Sequence, residues 1–108
     1  MIHKLDKFYQ DIYLLGKQIP KRDHFGIHQK IENITLDLLE LIISAALQDK
    51  NSKLMPLNSA RIKIEILKRL IRISNNLKII ENKKYIQIEN DLIEISKMIS
   101  GWIKYLNK

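Results

Sequence analysis

The highest density of positive charge in this sequence lies between residues 61 and 80. The segment "RIKIEILKRLIRISNNLKII" carries six basic residues and one acidic residue. On a helix that turns by about 100° per residue, Arg61, Lys68 and Arg72 fall within about 40° of one another. Three of the six basic residues are arginine, whose planar guanidinium matches the geometry of phosphate oxygens. We therefore predict that this helical face binds the phosphate backbone of a nucleic acid.

The predicted nucleic-acid contacts extend beyond this helix, because Lys21 and Arg22 form a second basic corner after Pro20. The full predicted set is Lys21, Arg22, Arg61, Lys63, Lys68, Arg69, Arg72 and Lys78. No motif for reading base edges accompanies these residues, so we expect binding to RNA or DNA to depend on charge and shape. The alternatives are a basic face that binds an acidic protein and a face that is simply solvated.

The sequence offers few residues for catalysis. His24 and His28 are four residues apart and could place two metal ligands on one helical face, but no third ligand accompanies them. We interpret them as a surface pair near the start of a helix. Glu32, Asp37 and Glu40 follow the pattern of a solvated helix face. Because a glycine-rich phosphate loop and a nucleophile motif are also lacking, we predict a protein that is not an enzyme and that uses no cofactor or metal.

Four segments repeat apolar residues at steps of three and four, which is the period of an α-helix. They cover residues 2–18, 24–48, 56–80 and 84–106. The breaks between them are short, with Pro20 in the first and "ENKK" in the last. This pattern predicts an all-α protein, folded as an antiparallel up-down-up-down four-helix bundle. At 108 residues we expect one domain over residues 1–108.

The second and third helices carry more apolar residues than one core-facing stripe requires. In the third helix the predicted core line runs through Ile62, Ile66, Leu70, Ile73, Leu77 and Ile80. The apolar residues left over in the two helices are Leu36, Ile43, Leu47, Ile64, Leu67 and Ile71. We predict that these six form an interface between copies of the chain, since a monomer rarely leaves such a patch exposed. A broad core with scattered exposed apolar residues is the alternative.

The composition narrows the class of protein further. The chain has no cysteine and a formal net charge of +7, and none of its apolar runs reaches the roughly 18 residues of a membrane helix. The first ten residues, "MIHKLDKFYQ", are too charged for a signal peptide. We therefore expect a cytoplasmic protein that has no membrane partner.

Three segments carry a resemblance to a known family. They are "IPKRDHFGIHQKIENITLDLLELIISAA", "LKRLIRISNNLKII" and "EISKMISGWIKYL". Through them the chain resembles the accessory variability determinant family, the small four-helix proteins of diversity-generating retroelements. That family is in turn similar to four-helix proteins encoded in ribosomal RNA intervening sequences, whose signature this chain lacks, and a structural or protein-interaction role is kept as the alternative.

The resemblance to the accessory variability determinant family implies a homopentameric barrel with a positive surface. It also implies a protein that binds template RNA and a reverse transcriptase and that supports mutagenic reverse transcription. The basic positions that match the family are Lys21, Arg22, Arg61, Lys68, Arg69 and Arg72.

Overall fold

The computed structural model describes residues 1–107 and contains four long helices. They are α1 (Ile2–Gly16), α2 (Gln29–Leu47), α3 (Leu54–Asn76) and α4 (Asn82–Leu106). No strand occurs within these 107 residues, which confirms the prediction of an all-helical chain. The predicted helix ends differ from the observed ends by a few residues.

The largest difference in a helix boundary lies at the start of α2. Helical turns already begin at Lys21, but the chain is kinked within His24–His28, and regular α-helix starts only at Gln29. The backbone leaves helical geometry at Gly26, where φ is −101° and ψ is −113°. This kink lies between His24 and His28, the two histidines described below.

The core of α2 follows a line of buried residues at steps of three and four that includes two polar side chains. The line contains His28, Ile31, Thr35, Leu38, Ile42 and Ala45. Thr35 satisfies its buried hydroxyl by donating to the carbonyl oxygen of Ile31 at 2.8 Å. In α4, Ile88, Leu92, Ile95 and Ile99 recur at steps of four, three and four, and all are buried.

The core face of α3 is not the predicted one. Ile64, Leu67 and Ile71, which were assigned to an interface between copies, are 1%, 0% and 1% exposed and belong to the bundle core. Ile62 and Leu77, which were assigned to the core, are 63% and 64% exposed. The prediction is wrong because the buried line and the exposed line of α3 both repeat at steps of three and four, so spacing alone does not show which one faces the core.

The buried core line of α3 continues on both sides of Ile64, Leu67 and Ile71, and it includes a small residue and a polar residue. Leu57, Ala60 and Ser74 extend the line of Ile64, Leu67 and Ile71 at steps of three and four, and all six residues are buried. Ser74 donates its hydroxyl to the carbonyl oxygen of Leu70 at 3.0 Å, so its burial leaves no unpaired polar group.

Each long helix packs beside the next one along the chain, and α1 also contacts α4. Across that last contact, the Lys4 ammonium lies 2.6 Å from Glu94 and 3.7 Å from Asp91. The folded chain is elongated, with principal extents of 45, 21 and 20 Å. Within the described part of the chain, no helix combines the length and the apolar character needed to cross a membrane.

Candidate nucleic-acid interface

The basic residues of α3 lie outside its buried core line and on more than one side of the helix, since Lys63 pairs with α2 and Arg72 pairs with α4. Arg61, Arg69 and Arg72 are exposed, and Lys63 and Lys68 are partly buried. Because the core line is continuous along one face, these side chains must project around the rest of the helix. The structure therefore presents positive charge along the length of α3, as the sequence predicts.

Three of the α3 basic groups already contact carboxylates. Lys63 lies 3.5 Å from Asp37 of α2, and Arg72 lies 3.7 Å from Glu89 of α4. Lys68 lies 3.4 Å from Glu65, one turn earlier in α3. Such ion pairs at the surface contribute little to stability, but each one cancels part of the local positive field.

Arg61 and Arg69 remain available on α3, since neither has a carboxylate within 4 Å among residues 1–107. Arg61 lines an open groove between α3 and α4, together with Glu65 of α3 and with Ser96 and Ser100 of α4. The guanidinium and the two hydroxyls are donors for a phosphate oxygen, whereas the Glu65 carboxylate opposes its binding. Arg72 is paired, unlike Arg61 and Arg69, and the neighbouring Tyr85 and the charge of Glu89 raise its pKa above the ordinary arginine value.

The remaining predicted basic residues lie in the connections between helices. Lys21 and Arg22 are exposed in the short helical turn after Pro20, and Lys78 is exposed just after α3. The predicted set does not include Lys17 in the first connection or Lys83 and Lys84 at the start of α4, although all three are exposed. Their common feature in the sequence is a position within two residues of a helix end.

The two histidines fix the first connection to α1, so the prediction of a surface pair is wrong. His28 is 1% exposed, and its Nε2 lies 2.9 Å from the carbonyl oxygen of Ile12. His24 Nδ1 lies 3.2 Å from the carbonyl oxygen of Gly16, and the two rings stack with centroids 5.8 Å apart. Both rings therefore serve as hydrogen-bond donors to the last turns of α1.

Gly16 allows this close approach. A Cβ atom at this position would lie 2.9 Å from His28 Nε2 and 3.1 Å from His24 Cε1. The contact of His28 Nε2 with a carbonyl means that this nitrogen carries the proton, so the buried Nδ1 is left without a hydrogen-bond partner. Burial lowers the pKa of His28 below its ordinary value, because the charged ring would lose its hydration.

The comparison with known families decides where this chain belongs. The family model described as bAvd-like matches residues 1–106, which is nearly the entire chain. The chain belongs to the bAvd-like family. This match confirms the resemblance to the accessory variability determinant proteins, a family of non-catalytic accessory proteins. No curated protein matches the chain.

In this member of the bAvd-like family, two sets of apolar side chains are exposed on different helices. On α2, Leu36, Ile43 and Leu47 are 42%, 40% and 83% exposed, as an interface between copies requires. We call these three residues the α2 stripe. On α3 the exposed set takes the place of the predicted one, and we call it the α3 stripe: Ile62, Ile66, Ile73 and Leu77.

Proposed function

We propose that this chain is the non-catalytic accessory protein of a diversity-generating retroelement. In that role it binds template RNA and a reverse transcriptase and supports mutagenic reverse transcription. The observation that carries the proposal is the bAvd-like family match over residues 1–106. The exposed basic side chains, on a chain of net charge +7, supply the positive field that a phosphate backbone requires.

A reconstituted copying reaction tests this role. The gene should lie beside genes for a reverse transcriptase and a repeated variable region, and that reverse transcriptase should be purified with and without this chain. We expect efficient copying of the repeat RNA only when the chain is present, and the chain should co-purify with the enzyme. Equal copying in both reactions would contradict the proposal.

We also propose that the chain assembles into a ring of copies, as a homo-oligomer and specifically a pentamer. The support is the α2 stripe and the α3 stripe, which leave seven large aliphatic side chains exposed on one subunit. Exposed apolar surface of this extent is typical of association sites. The native mass should be about five times the 12.8 kDa of one chain, and a particle of one chain mass at micromolar concentration would exclude assembly.

The proposed helix order within each subunit is up-down-up-down. Two contacts between α2 and α3 support it. Lys53, just before α3, donates to the carbonyl oxygen of Ala45, whereas Lys63, further along α3, pairs with Asp37, which is earlier in α2. Residue numbers that rise in one helix and fall in its neighbour are typical of antiparallel packing.

The second candidate function is a structural bundle whose basic face binds an acidic protein. It is favoured by the pairing of Lys63, Lys68 and Arg72 with carboxylates, since this face already accepts such groups. Affinity capture from lysate separates the two functions. Partners that are lost after nuclease treatment favour nucleic acid, and partners that persist favour the acidic protein.

A further inference from the structure

Two connections between helices, counted together with the first residues of α4, carry more than half of the net charge of this chain. Residues 17–23 and 78–84 together hold six basic and two acidic residues, a net charge of +4, whereas the whole chain has +7. The six basic side chains are all exposed: Lys17, Lys21, Arg22, Lys78, Lys83 and Lys84. Within residues 1–107, none of them has a carboxylate oxygen within 4 Å. Their charge is therefore available to an external anion.

The connections differ in this respect from the middle of α3. There, Lys63, Lys68 and Arg72 lie within 4 Å of Asp37, Glu65 and Glu89, so half of the six basic groups predicted between residues 61 and 80 are already paired. A phosphate that binds at α3 has to compete with these carboxylates. At the two connections, Asp23 and Glu81 are not paired with the basic groups within 4 Å, so a phosphate has no ion pair to displace.

The contacts of α1 with α4 support a common location for the two connections. From Lys4, which pairs with Asp91, α1 runs twelve residues to Gly16, or about 18 Å. From Asp91 back to Asn82 at the start of α4 is nine residues, or about 14 Å. With the antiparallel order proposed above, both connections reach the same end of the bundle. The cross-section there is bounded by the 21 and 20 Å extents, so one nucleic-acid segment can contact both.

Hydrogen bonds hold the second connection in one conformation. Ile79 donates its amide to the carbonyl oxygen of Ser74 at 2.8 Å, and Lys78 donates to that of Asn75 at 3.0 Å, which together form a Schellman motif. The Asn75 amide also donates to the carbonyl oxygen of Ile80 at 3.1 Å and to Asn82 Oδ1 at 2.9 Å. A fixed connection presents its lysines with little loss of entropy on binding.

Lys78 occupies a backbone conformation that favours glycine. Its φ is 62°, in the left-handed region, and it is the position of the Schellman motif where glycine is the usual residue. A lysine here is strained relative to glycine, and such strain is found where a side chain is needed for function. The backbone therefore provides an observation, independent of charge, that points to a role for this lysine.

We propose that these six residues form one cationic platform at the end of the bundle, which binds the phosphate backbone of nucleic acid. The inference rests on the proposed function, because it assumes that nucleic acid is the partner. It goes beyond that function by moving the main contact from the α3 face to the connections and by adding Lys17, Lys83 and Lys84.

Three variants with equal charge test this location. The platform variant changes Lys21, Arg22, Lys83 and Lys84 to Gln, and the α3 variant changes Arg61, Lys68, Arg69 and Arg72 to Gln. The control changes Lys7, Lys50, Lys97 and Lys104, which are exposed elsewhere, to Gln. Each variant loses four positive charges, so the total charge is matched. Circular dichroism and thermal melting check that each variant remains folded.

The readout is fluorescence anisotropy with a labelled single-stranded RNA of about 16 nucleotides. The slope of log K against log salt is negative, and each lost phosphate contact reduces its magnitude by about 0.7. The magnitude should therefore be smaller by up to about 3 in the platform variant. Between roughly 50 and 200 mM salt, we expect the platform variant to bind RNA about tenfold or more weakly than the unmodified protein. The RNA affinities of the other two variants should fall less. Restoring the four positions as Arg should restore binding.

Three other results would contradict the proposed platform, and each has a different meaning. A greater loss in the α3 variant would place the contact on α3 and leave the proposed function intact. Equal losses in all three variants would show that only total charge matters. If the unmodified protein binds no RNA at low salt, both the platform and the proposed function fail.

A single substitution gives a second, independent test of the platform. Lys78→Gly relieves the left-handed strain, so the melting temperature should rise. The same change removes one platform charge, so RNA affinity should fall and the salt slope should decrease by about 0.7. Stability and binding should thus change in opposite directions. Unchanged RNA affinity in this more stable variant would exclude Lys78 from the contact.

Discussion

At the scale of single residues, His28 shows how a polar group becomes part of a helical core. It lies on the same line of buried positions as Ile31 and Leu38, and it replaces an aliphatic side chain with a ring that donates to Ile12. The sequence contains this information, because His28 stands three residues before Ile31. Spacing cannot show that the carbonyl of Ile12 is its partner, since that contact depends on α1.

The stability of the fold should decrease in mild acid because of His28. Its pKa is lowered mainly by burial, so the folded chain binds fewer protons than the unfolded chain. The hydrogen bond to Ile12 and the Glu32 carboxylate, 3.8 Å from Nε2, favour the charged ring, but burial, together with the stacked His24, outweighs them and lowers the pKa. The contribution of His28 is complete above about pH 6.5, the ordinary histidine pKa, and is lost as the pH falls through the lowered value.

Urea denaturation at about pH 7.5 and pH 5.5 measures this effect. The unmodified protein should show a lower free energy of unfolding at the acidic pH. In His28→Gln the amide can still donate to Ile12 but cannot titrate, so the difference between the two pH values should shrink. A difference of unchanged size in this variant would show that other groups cause the acid sensitivity.

Gly16 and Gly101 provide a matched pair for the contact beneath the histidines. In a helix, Gly→Ala normally stabilises by about 0.5–1 kcal/mol. We expect this gain for Gly101→Ala, whose new Cβ would have no neighbour within 4 Å. Gly16→Ala should instead destabilise by about 1–3 kcal/mol, because its Cβ would overlap the buried His28 ring. Thermal melting compares the two, and a gain at both positions would contradict the close contact.

At the scale of elements, the helices were predictable and the orientation of α3 was not. Periods of three and four residues identify a helix whichever face is buried, and α3 has two aliphatic lines with this period. The line through Ile62 and Leu77 contains more large aliphatic residues, whereas the buried line includes Ala60 and Ser74. Packing against α2 and α4 selects the buried line, and that information lies in other helices.

Two isoleucines of α3 test this orientation directly. Ile64 is 1% exposed and Ile62 is 63% exposed, although they are two residues apart. Ile64→Ala should lower the free energy of unfolding by about 2–5 kcal/mol through lost burial and a cavity. Ile62→Ala should change subunit stability by no more than about 0.5 kcal/mol.

Denaturation at several protein concentrations separates folding from association for these two variants. The loss in Ile64→Ala should be the same at every concentration, because the cavity lies inside one subunit. Any loss in Ile62→Ala should depend on concentration, because it would act on association. A larger loss for Ile62→Ala in the dilute protein would restore the orientation predicted from the sequence.

At the scale of the whole molecule, the basic character was predictable and its distribution was only partly so. The charge on α3 is evident from the sequence, but ion pairs such as Arg72 with Glu89 join residues on different helices. Conversely, Lys17 and Lys84 are 67 positions apart in the sequence, so the sequence alone gives no reason to group them. Their grouping depends on two helix connections at one end of a bundle.

The two exposed apolar stripes also have a consequence for assembly. A closed ring needs two different surfaces on each subunit that bind each other, whereas a symmetric dimer needs one surface that binds itself. The α2 stripe and the α3 stripe lie on separate helices, so they can serve as the two sides of a ring contact. In the ring that we propose, each subunit uses its α2 stripe toward one neighbour and its α3 stripe toward the other.

Complementary variants test this arrangement. Leu47→Glu places a charge in the α2 stripe and Ile62→Glu places one in the α3 stripe, at side chains that are 83% and 63% exposed, so the subunit should stay folded. Each variant alone should fail to form the ring, because every contact would contain one charged side. Asn51→Glu, which is exposed outside both stripes, adds the same charge and should leave the ring intact.

The particle mass in an equal mixture of the two variants shows whether the α2 stripe and the α3 stripe bind each other. Each Leu47→Glu subunit keeps an intact α3 stripe and each Ile62→Glu subunit keeps an intact α2 stripe, so exactly one contact per pair remains favourable. Native mass spectrometry should therefore find a particle of twice the 12.8 kDa chain mass in the mixture and single chains in each separate sample. Single chains in the mixture as well would show that the two stripes do not bind each other, because a contact between them would survive in this pair.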